Sequence, residues 1–481
     1  MDKTLKNTSI YLTQIGISGI ILFISLPIIT HQLSSELFGE FVLTHVYIAI
    51  VVGIANLGLS VGYERNFFIY ENNPKQSAQL LYSALAFVMV NLFCIFLPLF
   101  IWRVELSEWM ELPLYDELLI LVFIGSACST LAQYYLTYLK NKGLAKSFLF
   151  FMLLQTISNF MLIVGLLFWT NLGIFSLAYA LFVSNLLLII GLFVYYYQKL
   201  PLSLDLKLLK PMLKISLPLT PKIFLGVLAT HFDKIMLGMI GSTSLVGVYQ
   251  IGQTVALTVF QFMTGLDRVF KPEIYRKLFA NKHQTHSQEI NHYTLPFFWA
   301  SIFIALCVSL FAKEIMIVFF PIDYWEAVNV IIILSLYYAL LFFGKIIGTQ
   351  LIYAEKTFVS MGLILFGVVV NVSLNIPLII HWGIVGAAIA TAITGITVTG
   401  IGYVLAQKYA FIDWQWQKIN VLHAIFIVGV VWALVDYNNW MNVHYLIAIF
   451  IKLGLLSLYI LAGFKLNIVN KNIISLKGLN L

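Results

Sequence analysis

The sequence predicts an all-α polytopic membrane protein with about fourteen transmembrane helices. Three observations carry that prediction. Of the 481 residues, 61% are hydrophobic and only 10% charged, whereas a soluble domain averages about a quarter charged residues. The apolar residues fall into runs close to the ~20 residues that a hydrocarbon core of about 30 Å requires. The basic residues gather in alternate loops, on one side of the membrane. These runs leave no room for a folded domain outside the bilayer. The first is too long for a cleavable signal peptide and lacks a small-residue cleavage site.

In order, the spans read as 9–30, 42–63, 78–101, 118–139, 148–169, 174–197, 215–240, 245–267, 293–312, 327–351, 358–380, 384–406, 420–436 and 444–464. Short connections make most neighbouring helices antiparallel. With a cytoplasmic N-terminus, the inner loops and tails hold twenty-two of the 28 Lys and Arg residues, and the outer loops hold only Arg103. The outer loops carry acids instead, among them Glu36, Glu40, Glu105, Glu108, Asp116 and Asp323. Both termini are therefore expected in the cytoplasm. Because the positive charge flanks the membrane, the net +7 implies no nucleic-acid partner.

Several features exclude other chemistries. Cys94, Cys128 and Cys307 lie far apart in apolar runs and read as small buried hydrophobes. His283, His286 and His292 have no flanking acid pair, so no metal site is expected. No glycine-rich phosphate loop is present, and ATP hydrolysis is not expected.

Between the spans, LPLSLDLKLLKPMLK (200–214) is amphipathic and is expected along the inner surface, its lysines on anionic headgroups. RVFKPEIYRKLFANKHQTHSQEI (268–290) is the longest basic inner loop. RVELSEWMELPLYDE (103–117) and KEIMIVFFPIDYWE (313–326) read as short interfacial helices on the outer side.

The seventh span is the most informative. It contains Lys222, His231, Asp233 and Lys234, although a charge near the bilayer middle costs several kcal/mol. Lys222, Gly226, Ala229 and Asp233 share one helical stripe, with Lys222 and Asp233 roughly 16 Å apart along the axis. That stripe is expected to face a polar cavity. His231 points away from Lys222 and reads as a hydrogen-bonded packing residue. Lys234, seven residues from Gly241, is within snorkelling reach of the outer surface.

The chain also repeats itself. ELFGEF (36–41) resembles SLVGVY (244–249) at an offset of 208, and GLSVGYERNFFIY (58–70) parallels GLDRVFKPEIY (265–275). Farther on, WTNLGIFSLAYA (169–180) resembles HWGIVGAAIATA (381–392). Six spans per copy keep both copies in one orientation, which implies two parallel six-helix bundles around a central cavity. The expected organisation is a first bundle over 1–199, the linker 200–214, a second bundle over 215–410, and two additional helices with a tail over 411–481. Within the repeat, Gln14 is the counterpart of Lys222. Pro27, Pro218 and Pro221 supply bending points.

LPLTPKIFLGVLATHFDKIMLGMIGSTSLVGVYQIG, followed in order by FAKEIMIVFFPIDYWEAV, LIYAEKT and GIVGAAIATAI, resembles the polysaccharide transporter family. That family shares a superfamily with multidrug and toxic-compound extruders and lipid II flippases. The resemblance covers nearly the whole chain and departs at Pro321, where a glycine is more usual. It implies a flippase, not an enzyme, in a bacterial plasma membrane. The flippase would move a polyprenyl-pyrophosphate-linked oligosaccharide to the outer leaflet by alternating access, for O-antigen, capsule or exopolysaccharide biosynthesis. It further implies membrane lipids as neighbours, a polysaccharide polymerase and chain-length regulator as partners, no cofactor, and coupling open to a proton or a sodium ion. Arg65 and Arg268 end spans two and eight at comparable repeat positions. They would bind pyrophosphate at the cytoplasmic mouth or act only as positive-inside anchors. Lys345 faces the cavity or snorkels inward. Lys452 would line a groove for the lipid tail between the two extra helices, or serve packing alone. The alternative is a cation-coupled multidrug exporter of the same superfamily, which would want more intramembrane acids than Asp233.

Overall fold

The computed structural model describes residues 3–110, 116–197, 199–280 and 287–469. Every regular element among them is helical. Hydrocarbon demands this, because a spanning segment with no water beside it must satisfy its own backbone groups. Contacts divide the chain into two compact units: Met1–Gly238 with Ser242–Gly247, and Met239–Gly241 with Val248–Leu481.

The first unit contains α1 (Lys3–Gln32), α2 (Ser35–Asn56), α3 (Leu59–Phe67), α4 (Pro74–Ile101), the short α5 (Arg103–Trp109), α6 (Asp116–Asn141), α7 (Ala145–Trp169), α8 (Phe175–Tyr197) and most of α9 (Leu209–Ile240). Its core is built from α2, α3, α4, α6 and α8, where Leu59, Tyr63, Phe67, Leu81, Val122, Leu139 and Leu192 are fully or almost fully buried. The expected second span is two helices rather than one. Leu57 and Gly58 both take positive φ, 46° and 63°, which ends α2 and re-aims α3. Glu40, expected in an outer loop, stands inside α2.

The segment 200–214 is also not a separate surface helix. Only 200–205 lacks regular structure, and after a single 3-10 turn the chain enters α9 at Leu209. Asp205 explains the early start. Its Oδ1 accepts from the Lys207 amide at 3.0 Å, and its own amide donates to Ser83 Oγ at 3.0 Å. Pro211 falls in the first turn of α9, where a missing N–H costs nothing.

The second unit holds α10 (Thr243–Ala280) from Val248 onward, α11 (Ser287–Leu310), α12 (Ala312–Phe319), α13 (Ala327–Tyr353), α14 (Thr357–Tyr409), α15 (Trp416–Tyr437) and α16 (Tyr445–Lys465). Helix α10 carries the backbone of basic residues 268–280 onward as helix, where a loop was expected. Together with α5, α12 matches the two short helices expected beside the outer surface.

Thirteen helices among the described residues are long and apolar enough to cross a membrane, against fourteen expected spans. Helix α14 accounts for the difference. Its 53 residues would reach about 80 Å if straight, far beyond one bilayer core. At Gly383, φ 53° and ψ −128° break it, a conformation open to glycine. A Cβ on Gly367 would lie 3.1 Å from Val398 Cγ2, and one on Gly402 would lie 3.3 Å from Leu363 Cδ1. These pairs are centred on the break, so the two arms form an antiparallel hairpin and cross twice.

The repeat has a direct structural counterpart in the first unit. A Cβ on Gly39 would collide with the Thr243 carbonyl, and one on Gly247 with the Ser35 carbonyl. Ser35 and Thr243, like Gly39 and Gly247, are separated by the repeat offset. Residue i meets j′ while j meets i′, the reciprocity of a two-fold contact. Ser35 Oγ and Ser244 Oγ share a 2.7 Å hydrogen bond at this crossing.

Candidate polar chamber in the first unit

Helix α9 runs antiparallel to α2 and α3. Near its start, Ser216 Oγ accepts from the Gly62 amide at 3.2 Å and Thr220 Oγ1 donates to the Leu57 carbonyl at 2.8 Å. Near its end, a Cβ on Gly238 would lie 2.8 Å from Leu43 Cδ1. The freed backbone at the α2–α3 break is thus satisfied by the hydroxyl face of α9. This register sets Lys234 opposite His45 of α2.

His231, Lys234 and Gly238 form the stripe of α9 that meets α2, by the spacing of three and four. Lys234 lies close enough to act electrostatically on both His45 and His231. It does not snorkel: Lys234 and Asp233 are each only 5% exposed. His231 Nδ1 is buried with no hydrogen-bond partner, so the hydrogen bond expected of this residue is not made at that nitrogen. A Cβ on Gly226, on the helical stripe that also bears Lys222 and Asp233, meets nothing within 4 Å.

The other side of His45 faces a polar chamber. His45, Ala49, Val52, Gly53 and Asn56 occupy one face of α2 by helical spacing. With Ser126, Ser129 and Thr130 of α6 and Leu181 of α8 they enclose about 250 Å³. Asn56 Oδ1 accepts from the Tyr134 hydroxyl, which fixes the amide. Ser126 Oγ is buried without a partner. A chamber of this size and polarity holds water or a ligand hydroxyl.

The remaining candidate residues are dispersed. Gln14 is buried in α1, donating to Ser18 Oγ at 3.1 Å, and Ser18 bonds Thr156 of α7 at 3.2 Å. Arg65 is exposed at the end of α3. In the second unit, half-buried Lys345 stands 5.0 Å from the centroid of the Phe260 ring. Lys452 is fully buried and paired with Glu314 at 2.6 Å and Asp436 at 2.7 Å. The side chains of Lys222 and Arg268 lie outside the described residues. So do residues 111–115, His283, His286, and the tail from residue 470 with Lys471 and Lys477. His45, Asn56 and the α6 hydroxyls went unnoticed in the sequence. Their visible signal is His45 and Asn56, about three turns apart on one face of an otherwise apolar span.

Residues 4–266 match the model of the polysaccharide biosynthesis protein family. The chain belongs to that family. The match covers more than half of the 481 residues and runs from the first turn of α1 through α9, hence over the whole chamber. Over 228 residues the chain is 25% identical to the probable low-salt glycan biosynthesis flippase Agl15 of Haloferax volcanii. That alignment spans 47% of this chain and about half, 48%, of the relative. Among solved structures, the lipid II flippase MurJ in an inward closed conformation superposes with a TM-score of 0.72 at 14% identity, covering 95% of this chain and 99% of that one. An inward-facing MATE-family multidrug transporter of the MOP superfamily gives 0.65 at 15% identity, covering 82% and 94%. At such identities the likeness is one of fold. This polysaccharide biosynthesis family member therefore has the fold of that superfamily.

Proposed function

We propose that this protein is a flippase that carries a polyprenyl-pyrophosphate-linked oligosaccharide from the cytoplasmic to the outer leaflet by alternating access. The observation that carries the reading is the buried Lys234–His45–His231 group beside a chamber of hydroxyls and an amide, inside a membrane unit of a polysaccharide biosynthesis family member. The Lys234 ammonium suits a pyrophosphate, and the two imidazole rings beside it offer N–H donors. Hydroxyl and amide groups suit sugars, because each matches a sugar hydroxyl with a donor or an acceptor. A drug exporter of the same fold would want carboxylates to attract cations, and along α9 Asp233 stands against Lys222 and Lys234.

In this reading Lys222, Arg65 and Arg268 attract the pyrophosphate at the cytoplasmic mouth, and Asp233 accepts from sugar hydroxyls or carries a coupling proton. Both termini lie in the cytoplasm. The relative Agl15, named as a glycan biosynthesis flippase, supports the cargo class. The test is twofold: surface glycan display in a strain lacking the native gene, and movement of a lipid-linked oligosaccharide in proteoliposomes. Restored display and faster movement are expected. A protein that moves a cationic dye but no glycan-lipid would reverse the assignment.

A further inference from the structure

A second cavity of the first unit, of about 520 Å³, lies between α4, α6, α8 and the segment after α8. Its walls include Leu85 and Met89 of α4, Leu131 of α6, Ile190 and Phe193 of α8, and Leu204. Only Tyr82, Tyr135 and Ser203 bring side-chain polar atoms to its lining. The Tyr82 hydroxyl is buried without a partner. Apart from these three hydroxyls the lining is apolar, so most of the cavity suits hydrocarbon. Met89, Ile190 and Phe193 are 55%, 50% and 41% exposed, and on membrane-crossing helices that exposure is to hydrocarbon.

The strap over its mouth is fixed. Ser83 Oγ donates to the Asp205 carbonyl at 2.9 Å while accepting from the Asp205 amide at 3.0 Å. Leu202 and Leu204 are thereby held at the rim. Exposed Lys199 and Lys207 flank this strap, with Lys199 Nζ 3.3 Å from the centroid of the Tyr195 ring, and Asp205 within it caps the Lys207 amide. From Tyr82 to Met89 the cavity follows α4 for about 10 Å, roughly a third of a hydrocarbon core. Hydrocarbon below and positive charge above describe one end of a lipid.

We propose that this cleft holds one acyl chain of an anionic phospholipid of the adjacent leaflet, with its phosphate on the lysines of the strap. The site is independent of the cargo reading. A cargo polyprenyl chain is several times longer than the cleft, and the lysines beside the strap suit the phosphate of a leaflet phospholipid.

Photo-crosslinking of the full-length protein tests the site. Nanodiscs of neutral lipid would be doped with phosphatidylglycerol or phosphatidylcholine carrying a diazirine on one acyl chain, or with a diazirine polyprenyl phosphate. Phosphatidylglycerol adducts are expected on peptides containing Met89 and Phe193, in excess over phosphatidylcholine. Lys207→Gln should cut that excess about fivefold, the weight of one basic residue at an anionic surface. Ala86→Trp, and separately Leu131→Phe, should fill the cleft and remove these adducts, while adducts at Phe450 stay unchanged. Equal labelling by both phospholipids that neither filling variant alters would mean bulk lipid only and end the proposal. Adducts from the polyprenyl probe alone would assign the cleft to cargo and equally overturn it.

Discussion

Lys452 Nζ lies 2.7 Å from Asp436 Oδ2, joining α16 to α15 with the ammonium fully enclosed. The same nitrogen donates to Glu314 Oε1 of α12 at 2.6 Å, and Lys313 Nζ reaches Asp436 Oδ1 at 3.1 Å. Two lysines and two carboxylates thus pin both extra helices to a short helix of the bundle. Such a group adds little over an apolar core while whole, and losing one member strands a buried charge. Lys452→Met should therefore destabilise the second unit by about 3–5 kcal/mol. Lys452→Met with Glu314→Gln should recover part of that loss. Thermal unfolding in detergent would read both, and a single variant as stable as the parent would show the pair to be inert.

At the crossing of α2 and α10, space forbids a side chain. Gly39→Ala would drive a methyl into the Thr243 carbonyl, and Gly247→Ala one into that of Ser35. Each should cost about 1–3 kcal/mol, the usual toll of overpacking. Because both open the same contact, the double variant should lose less than the two single losses added together. Full additivity in a melting series would mean that the crossing in solution is looser than this one.

The fold was legible because bilayer thickness converts directly into run length. Even the α14 hairpin was expected as two spans, since 358–380 and 384–406 are each one bilayer long. The break at Leu57 was not, because a leucine in the left-handed region carries no sequence signal and only its neighbour Gly58 hints at it. Asp233 stood out as a charge in an apolar run. Its neighbour Lys234 stayed open to snorkelling because distance to a helix end says nothing of what packs against that face. The facing residue is His45, 189 positions earlier in the chain, and only the antiparallel register of α2 and α9 brings the two together. Lys452 posed the same difficulty: its partner Glu314 is 138 residues away.

Orientation rests on the distribution of Lys and Arg, and three exposed positions test it. Ser242 lies between α9 and α10, Met441 between α15 and α16, and Lys146 at the start of α7. Ser242→Cys and Met441→Cys should react with an impermeant thiol reagent added to intact cells, and Lys146→Cys should react only after permeabilisation. The opposite pattern would invert the protein in the membrane and move every proposed cytoplasmic group to the other side.

The chamber makes the sharpest prediction. Lys234 is enclosed between α9 and α2, so water screens it little and its charge acts strongly on a nearby anion. Replacing it with Met keeps the length and removes only the ammonium. If the group binds cargo phosphate, Lys234→Met should weaken movement of the lipid-linked glycan about 10- to 100-fold, the worth of one hydrogen bond to a charged group. Lys234→Arg should retain part of the activity. Ser126→Ala, which removes an unpaired hydroxyl from the wall, should leave stability intact and reduce movement only for cargo whose sugar reaches that wall. Asp233→Asn separates the two proposed roles of the carboxylate: reduced turnover with unchanged binding marks proton coupling, and weakened binding marks contact with sugar. The readout is initial flipping rate in proteoliposomes, with folded protein quantified by size-exclusion chromatography. A Lys234→Met protein that folds, reconstitutes and flips at the parental rate would remove this cation from the cargo path. Lys222 and the exposed Arg65 would then be the groups left to meet the phosphate.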